Sequence, residues 1–169
     1  GKKIVKRKIN DKEKAIKVYV ERLNHLSLFA EKEGVELLIE NNVLNKENLN
    51  TFEQNPLLMT SSEDAQYIMR NTSKNVNLLV DLAHLKVSAK TLNFNSVDFL
   101  KICEPWIKGY HLSDNNADYD TNDLVTENSW FWPYIKKNLD YYTLEIKCND
   151  KSILLDQKKL VKKKLANRY

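Results

Sequence analysis

Trp106-Ile-Lys-Gly-Tyr-His-Leu-Ser-Asp114 is a short apolar run that turns polar at His111. Three further apolar runs also carry, near their ends, a side chain that can bind a metal ion. These runs are residues 35–40, 76–81 and 141–146, and the side chains are Glu40, Asp81 and Glu145. Because such runs are typical of strands buried in a parallel sheet, the sequence predicts four strands, the third at residues 106–111.

The composition is that of one globular domain. The chain has 169 residues, of which 42% are hydrophobic, and contains only three glycines and three prolines. It is long enough to bury one core, and we treat residues 1–169 as a single domain. The formal net charge is +4, from 27 basic and 23 acidic residues. This small excess indicates an ordinary surface, so nucleic acid is not an expected partner.

The cysteine content and the hydropathy pattern indicate the compartment. Cys103 and Cys148 lie too far apart in the sequence to form a compact zinc motif. No apolar run approaches the length of about 18 residues that a membrane helix needs, and no signal peptide is recognisable. We therefore expect a cytoplasmic protein without a membrane partner.

Helical periodicity and capping residues predict helices between the strands. The predicted helices cover residues 11–32, 61–71, 95–104, 129–137 and 152–165, with a short helical turn at 46–52. In this order helices and strands alternate strictly. Strict alternation favours parallel βαβ units.

The glycine content separates two α/β folds that contain βαβ units. A doubly wound sheet usually has a glycine-rich phosphate loop, which three glycines cannot supply. A (β/α)8 TIM barrel carries its catalytic groups at the carboxyl ends of its strands, and usually has about 250 residues. We therefore expect about the last four βα units of such a barrel. The other strands would belong to a longer natural protein of about 250 to 300 residues or to a partner chain, for example in a homodimer.

Four side chains at the predicted strand ends suit a metal site: Glu40, Asp81, His111 and Glu145. They are separated by 41, 30 and 34 positions, and each interval matches one βα repeat. Three carboxylates and one imidazole suit Mn²⁺, Mg²⁺ or Co²⁺ and tolerate Zn²⁺. The alternative is that each residue separately caps a helix or orders a loop. Convergence on one rim favours one shared divalent ion.

The same segments resemble the carboxyl-terminal half of the xylose isomerase-like TIM barrels, from about Asp11 onward. This superfamily includes sugar phosphate isomerases and epimerases, ketose 3-epimerases, inosose dehydratases, hydroxypyruvate isomerases and the AP endonucleases of family 2, such as endonuclease IV. The segments that carry the resemblance are Ile39-Glu40-Asn41, Val80-Asp81-Leu82-Ala83-His84, Gly109-Tyr110-His111-Leu112-Ser113-Asp114-Asn115 and Thr143-Leu144-Glu145.

The resemblance implies a role for each matching residue. Glu40, Asp81, His111 and Glu145 match the shared metal ligands. In the epimerases, the glutamates that match Glu40 and Glu145 also exchange the substrate proton, as base and acid, through an enediolate. The implied activity is therefore a metal-dependent isomerase or epimerase whose partner is a sugar or sugar phosphate.

Three further residues are expected on the substrate side of the site. His84 matches a residue that contacts the substrate oxygen in the epimerases and a second metal in the endonuclease; the alternative is a hydrogen bond that orients Asp81. Asp114 is expected to order the loop and is not expected to bind the metal. Trp132, in the aromatic run 130–134, would either stack on a sugar face or pack against the barrel.

Departures from the family pattern bear on the choice among its activities. Endonuclease IV has Asp-x-His for its third zinc, where this chain has Asp120-Thr121-Asn122. The ketose epimerases carry an acidic residue and an arginine where this chain has Lys46 and Ala117. The expected function is therefore that of an isomerase or epimerase, but the residues that would identify its particular substrate are not present. A zinc phosphodiesterase and a catalytically inactive binding barrel are the alternatives.

Overall fold

The computed structural model describes residues 3–166, which contain four strands and six α-helices. The strands are β1 (Leu37–Glu40), β2 (Val76–Asp81), β3 (Ile107–Leu112) and β4 (Tyr141–Leu144). The helices are α1 (Lys12–Lys32), α2 (Lys46–Phe52), α3 (Ser62–Asn71), α4 (Leu82–Leu92), α5 (Ser96–Cys103) and α6 (Lys151–Ala166), with a 3-10 turn, Glu104–Trp106, before β3. None of these helices has both the length and the apolar character needed to cross a membrane.

The four strands form one parallel sheet in the order β1-β2-β3-β4. This is the arrangement of four consecutive strands of a (β/α)8 barrel, and it confirms the predicted parallel sheet. Asp81 is paired in register with His111, so the carboxyl ends of β2 and β3 lie side by side. Within residues 3–166, β1 and β4 each pair with one strand, and completion of the barrel by further strands stays a prediction.

The two faces of the sheet differ because side chains alternate along each strand. Val76, Leu78 and Val80 of β2 are buried against the helices, whereas Asn77 and Leu79 are partly exposed on the other face. Asp81 shares this second face, which is the one that faces the interior in a closed barrel.

Gly109 lies between β2 and β4 on the second face of the sheet. A Cβ atom at this position would lie 3.0 Å from Leu79 Cδ1 and 3.1 Å from Tyr141 Cβ. Any larger residue at this position would therefore force the neighbouring side chains to move.

Local signals place most of the helices where the sequence predicts them. Asp11 caps α1 by accepting a hydrogen bond from Lys14 N–H, and Ser61 caps α3 by accepting one from Asp64 N–H. A side-chain acceptor at this position satisfies an N–H group that has no partner inside the helix. The predicted turn at 46–52 is the helix α2, and α6 extends the predicted final helix by one residue at each end.

Two predictions about the connections are wrong. Residues 129–137 form turns instead of a helix, because Pro133 has no N–H group to donate. The hydrogen bonds around it lack the regular spacing of an α-helix; Tyr134 N–H, for example, donates to Phe131 C=O. Helix α4 was not predicted; it begins directly after β2, with Asp81 as its cap. Two helices therefore join β2 to β3, and helices and strands do not alternate strictly.

A buried tyrosine in the core should make the folded protein less stable at high pH. Tyr110 is 1% exposed, and burial raises its pKa from 10.0 to about 12. Because the pKa of Tyr110 is higher in the folded than in the unfolded protein, the stability that its protonated side chain contributes is complete below pH 10. It is lost as the pH rises to about 12. Urea unfolding should give a free energy of unfolding about 2 to 3 kcal/mol lower at pH about 12 than below pH 10. Tyr110→Phe should lose less stability over that interval; an equal loss in both proteins would contradict the assignment.

Candidate metal centre

The ends of the four strands bring the predicted ligands together. Glu40 and Asp81 are the last residues of β1 and β2, His111 is the fifth residue of β3, and Glu145 directly follows β4. One ligand atom from each residue lies within 4.8 Å of those of the other three. The convergence inferred from the repeat spacing is therefore present in the structure.

His111 Nδ1 lies among the carboxylates. It is 2.6 Å from Glu145 Oε2, 3.3 Å from Glu40 Oε1 and 3.7 Å from Asp81 Oδ2. The carboxylates of Asp81 and Glu40 raise the pKa of His111 to about 10, against the effect of burial. Burial and the charge of Asp81 raise the pKa of Glu145. The four groups thus form a concentrated negative site that holds a proton strongly.

Asp81 has two distinct oxygen environments. Its carboxylate is fully buried, and Oδ1 accepts a hydrogen bond from His84 N–H at 2.7 Å as the cap of α4. Oδ2 has no hydrogen-bond partner among residues 3–166. A buried carboxylate oxygen without a donor is costly unless a cation or proton approaches it.

These features fit a divalent cation. Three carboxylates and one histidine nitrogen are donors of the type that Mn²⁺, Mg²⁺, Co²⁺ and Zn²⁺ accept. Asp81 Oδ2, which accepts no hydrogen bond among the described residues, lies 3.7 Å from His111 Nδ1. A cation held by Glu40, Asp81, His111 and Glu145 would offset the repulsion among the carboxylates and replace the proton on the imidazole.

His84 lies beside this group and makes contacts on both sides of its ring. Nδ1 is 3.0 Å from the carbonyl oxygen of Asn41 and 3.4 Å from Glu40 Oε1, while Nε2 is 3.4 Å from Asp120 Oδ2. Burial lowers the pKa of His84, but the hydrogen bond to Asp120 and the charge of Asp81 outweigh it and raise the pKa to about 9. The same hydrogen bond lowers the pKa of Asp120.

Asp114 orders the loop that follows β3. Its Oδ1 accepts a hydrogen bond from Lys86 Nζ at 2.6 Å, and its Oδ2 accepts one from Ser129 Oγ at 2.8 Å. Its backbone also exchanges two hydrogen bonds with the backbone of Asp123. These contacts are those of a loop-ordering residue, and a contact with substrate stays a prediction.

Trp132 lies in the hydrophobic core. It is 6% exposed, its indole N–H donates to the carbonyl oxygen of Thr126 at 2.7 Å, and its ring centroid is 4.7 Å from that of Phe131. A ring so covered has little face open to a sugar. The placement supports the packing interpretation of the aromatic run.

Substitution of Trp132 tests the packing interpretation. Trp132→Ala should lower the free energy of unfolding by about 3 kcal/mol, because it leaves a cavity in the core. Tyr134→Ala is the matched control, since Tyr134 belongs to the same aromatic run and is 50% exposed; its effect should stay within about 0.5 kcal/mol. Urea unfolding measures both. Equal losses in the two variants would contradict the packing role.

Two residues of the site were not predicted from the sequence as site residues. Asn41 is 2% exposed and bonds to the backbone of Asp81, and Asp120 contacts His84. Asn41 directly follows a predicted ligand and belongs to a segment that carries the family resemblance, and these two signals could have identified it. The signal for Asp120 is its match to the aspartate of the endonuclease Asp-x-His pattern, whereas its contact with His84 depends on the path of the loop after β3.

The geometry agrees with a comparison against protein families. The model of the xylose isomerase-like TIM barrel family matches residues 3–140. The chain belongs to this family. The xylose isomerase-like family consists mostly of metal-dependent sugar isomerases and epimerases. No curated protein sequence matches the chain.

A solved structure shares the fold of this member of the xylose isomerase-like family. The TTHB071 protein from Thermus thermophilus, from a crystal soaked with ZnCl2, superposes with a TM-score of 0.57 at 17% sequence identity. The match covers 95% of this chain and 58% of that one. The chain therefore spans little more than half of the length of that protein.

Proposed function

We propose that the chain forms part of a metal-dependent isomerase or epimerase that acts on a sugar or sugar phosphate. One observation carries the proposal: the four donor atoms lie within 4.8 Å of one another at the carboxyl edge of a parallel sheet. The carboxyl edge is where barrel enzymes carry their catalytic groups. Family membership supports the reaction class.

The two glutamates suit proton transfer from different sides. Glu40 belongs to β1 and Glu145 follows β4, the two outer strands of the sheet, yet both carboxylates reach His111 Nδ1. In the proposed reaction one glutamate removes a proton from carbon and the other returns it, with an enediolate of the sugar between the two transfers. A divalent ion, when bound, would supply the electrophile that acidifies this C–H bond.

The neighbouring residues would hold the reacting groups in place. Asp81 and His111 would complete the ligand set between the two glutamates. His84 lies 3.4 Å from Glu40 Oε1 and has a partly exposed side chain, so it could orient Glu40 and contact a substrate oxygen. Asp120 would fix the other side of the His84 ring.

Metal content and proton exchange test the proposal together. Elemental analysis of the purified protein should find about one Mn²⁺, Mg²⁺, Co²⁺ or Zn²⁺ per chain, and zinc is included because the TTHB071 crystal was soaked with ZnCl2. A panel of sugars and sugar phosphates in D₂O should then reveal a substrate that gains deuterium at carbon only with metal present. A protein that retains no divalent ion after reconstitution would contradict the proposal.

The contact between His84 and Asp120 favours a second candidate, a zinc-dependent phosphodiesterase. The two side chains lie beside Glu40 and could contribute to a site for another cation. Asn122 opposes it, because its side chain donates to the carbonyl oxygen of Glu145 and replaces the histidine of the endonuclease pattern. Two or three zinc ions per chain, with nicking of abasic duplex DNA that a chelator abolishes, would favour the hydrolase.

A further inference from the structure

We propose that Asn41 is a positioning residue that fixes the distance between Glu40 and Asp81 and thereby sets the affinity of the site for a divalent ion. The inference rests on the proposed metal-dependent function. It concerns a side chain that binds no metal and has no place in the proton transfers.

The side chain of Asn41 is tied to the backbone of Asp81 at both ends. Its Oδ1 accepts a hydrogen bond from Asp81 N–H at 2.8 Å, and its Nδ2 donates one to Asp81 C=O at 3.0 Å. Both hydrogen bonds are buried, and Asn41 is 2% exposed. Solvent therefore cannot replace either bond without rearrangement of the strand ends.

These bonds extend the link between β1 and β2 beyond their backbone pairing. The last residue pair of that ladder is Glu40 with Leu79, two positions before Asp81. The amide of Asn41 offers Asp81 one acceptor and one donor, as the backbone of an added strand residue would. The residue after one predicted ligand thus holds the backbone of another.

A third contact connects Asn41 with His84. The carbonyl oxygen of Asn41 lies 3.0 Å from His84 Nδ1, while Asp81 Oδ1 accepts from His84 N–H. Asp81 is therefore held through its backbone by Asn41 and through Oδ1 by α4. Its Oδ2 remains directed at the other predicted metal ligands, 3.7 Å from His111 Nδ1. Residues that orient metal ligands in this way typically change metal affinity by about 10- to 100-fold when removed.

Asparagine has the length and the two polar groups that the paired hydrogen bonds to the Asp81 backbone require. Aspartate has no donor for Asp81 C=O, alanine has neither group, and glutamine is longer by one methylene. Asn42 provides a matched control, because it is the next residue, is exposed, and donates a side-chain hydrogen bond to the carbonyl oxygen of Leu58 at 3.0 Å. That bond does not involve a predicted ligand.

Titration with Co²⁺ tests the inference. Isothermal titration of the wild-type chain, Asn41→Ala and Asn42→Ala gives the dissociation constants, and the visible spectrum of bound Co²⁺ reports the coordination geometry. We expect Asn41→Ala to raise the dissociation constant about 10- to 100-fold and to alter the spectrum. Asn42→Ala should match the wild type in both. A folded Asn41→Ala with the wild-type constant and spectrum would overturn the positioning role.

The wild-type protein decides the question if Asn41→Ala fails to fold. Addition of Zn²⁺ should shift the side-chain amide resonances of Asn41 and leave those of Asn42 in place; unchanged Asn41 resonances at saturation would overturn the inference. A wild-type chain that binds neither Co²⁺ nor Zn²⁺ would overturn the proposed function as well. Wild-type binding with an unaffected Asn41→Ala would overturn the positioning role alone.

Discussion

Glu145→Gln should lower turnover of the identified sugar about a thousandfold, which corresponds to about 4 kcal/mol in the activation barrier. The substitution keeps the size of the side chain and removes its ability to accept and return a proton. The variant should also bind the divalent ion more weakly, because it replaces one of the negative candidate ligands by a neutral amide. Steady-state rates and deuterium incorporation at saturating metal separate the loss of the acid/base group from the loss of the ion.

Asp118→Asn is the control for this experiment. It makes the same carboxylate-to-amide change in a residue that is half exposed and pairs with Lys90 outside the ligand group. Its turnover should equal that of the wild type. Full turnover by Glu145→Gln on the same substrate would contradict the proposed reaction, because the chain would then need another group for proton transfer.

Asp81→Asn should separate metal binding from stability. The divalent ion should bind at least about a thousandfold more weakly, a change of about 4 kcal/mol, since a buried negative ligand becomes neutral. The apo protein should change in stability by no more than about 1 kcal/mol. Asparagine gives up the attraction of Asp81 to the protonated His111 and His84, but it also removes the repulsion between Asp81 and Glu145. Titration calorimetry and urea unfolding without metal measure the two effects.

Asp81→Ala distinguishes the two functions of this side chain. Asparagine retains an oxygen that can cap α4 through His84 N–H, whereas alanine removes the cap and the ligand together. Asp81→Ala should therefore be less stable than Asp81→Asn by about 1 kcal/mol or more. Equal stability of the two variants would contradict the role of Asp81 as a helix cap. Unchanged metal affinity of Asp81→Asn would contradict its role as a metal ligand.

The agreement between sequence and structure is strongest where one local pattern dominates. The strand at 76–81 and the short helix at 46–52 have the predicted bounds, since apolar runs and capping residues act over only a few positions. The start of α1 follows from Asp11 for the same reason. The strand ends then placed the four predicted ligands at one edge of the sheet.

The errors arise where a proline interrupts helical spacing or where burial removes the amphipathic pattern. The run 129–137 has helical spacing, but Pro133 interrupts the hydrogen bonds, and Ser129 Oγ bonds to Asp114 instead of extending a helix. Helix α4 is buried along most of its surface, so its sequence lacks the polar stripe that marks an amphipathic helix. Trp132 belongs to the same buried cluster as Tyr110 and Leu112 of β3, a contact that local spacing does not reveal.

The sequence by itself determined the parallel strands, the side chains at their ends and the membership of the chain in a barrel family, because alternation and repeat spacing are written along the chain. Only the tertiary structure decided which groups meet. Asn41 bonds to Asp81 across 40 positions, and Asp120 approaches His84 through a loop without periodicity. Contacts between distant residues depend on the packing of whole elements, and hydrogen-bond geometry at that distance leaves no local signal in the sequence.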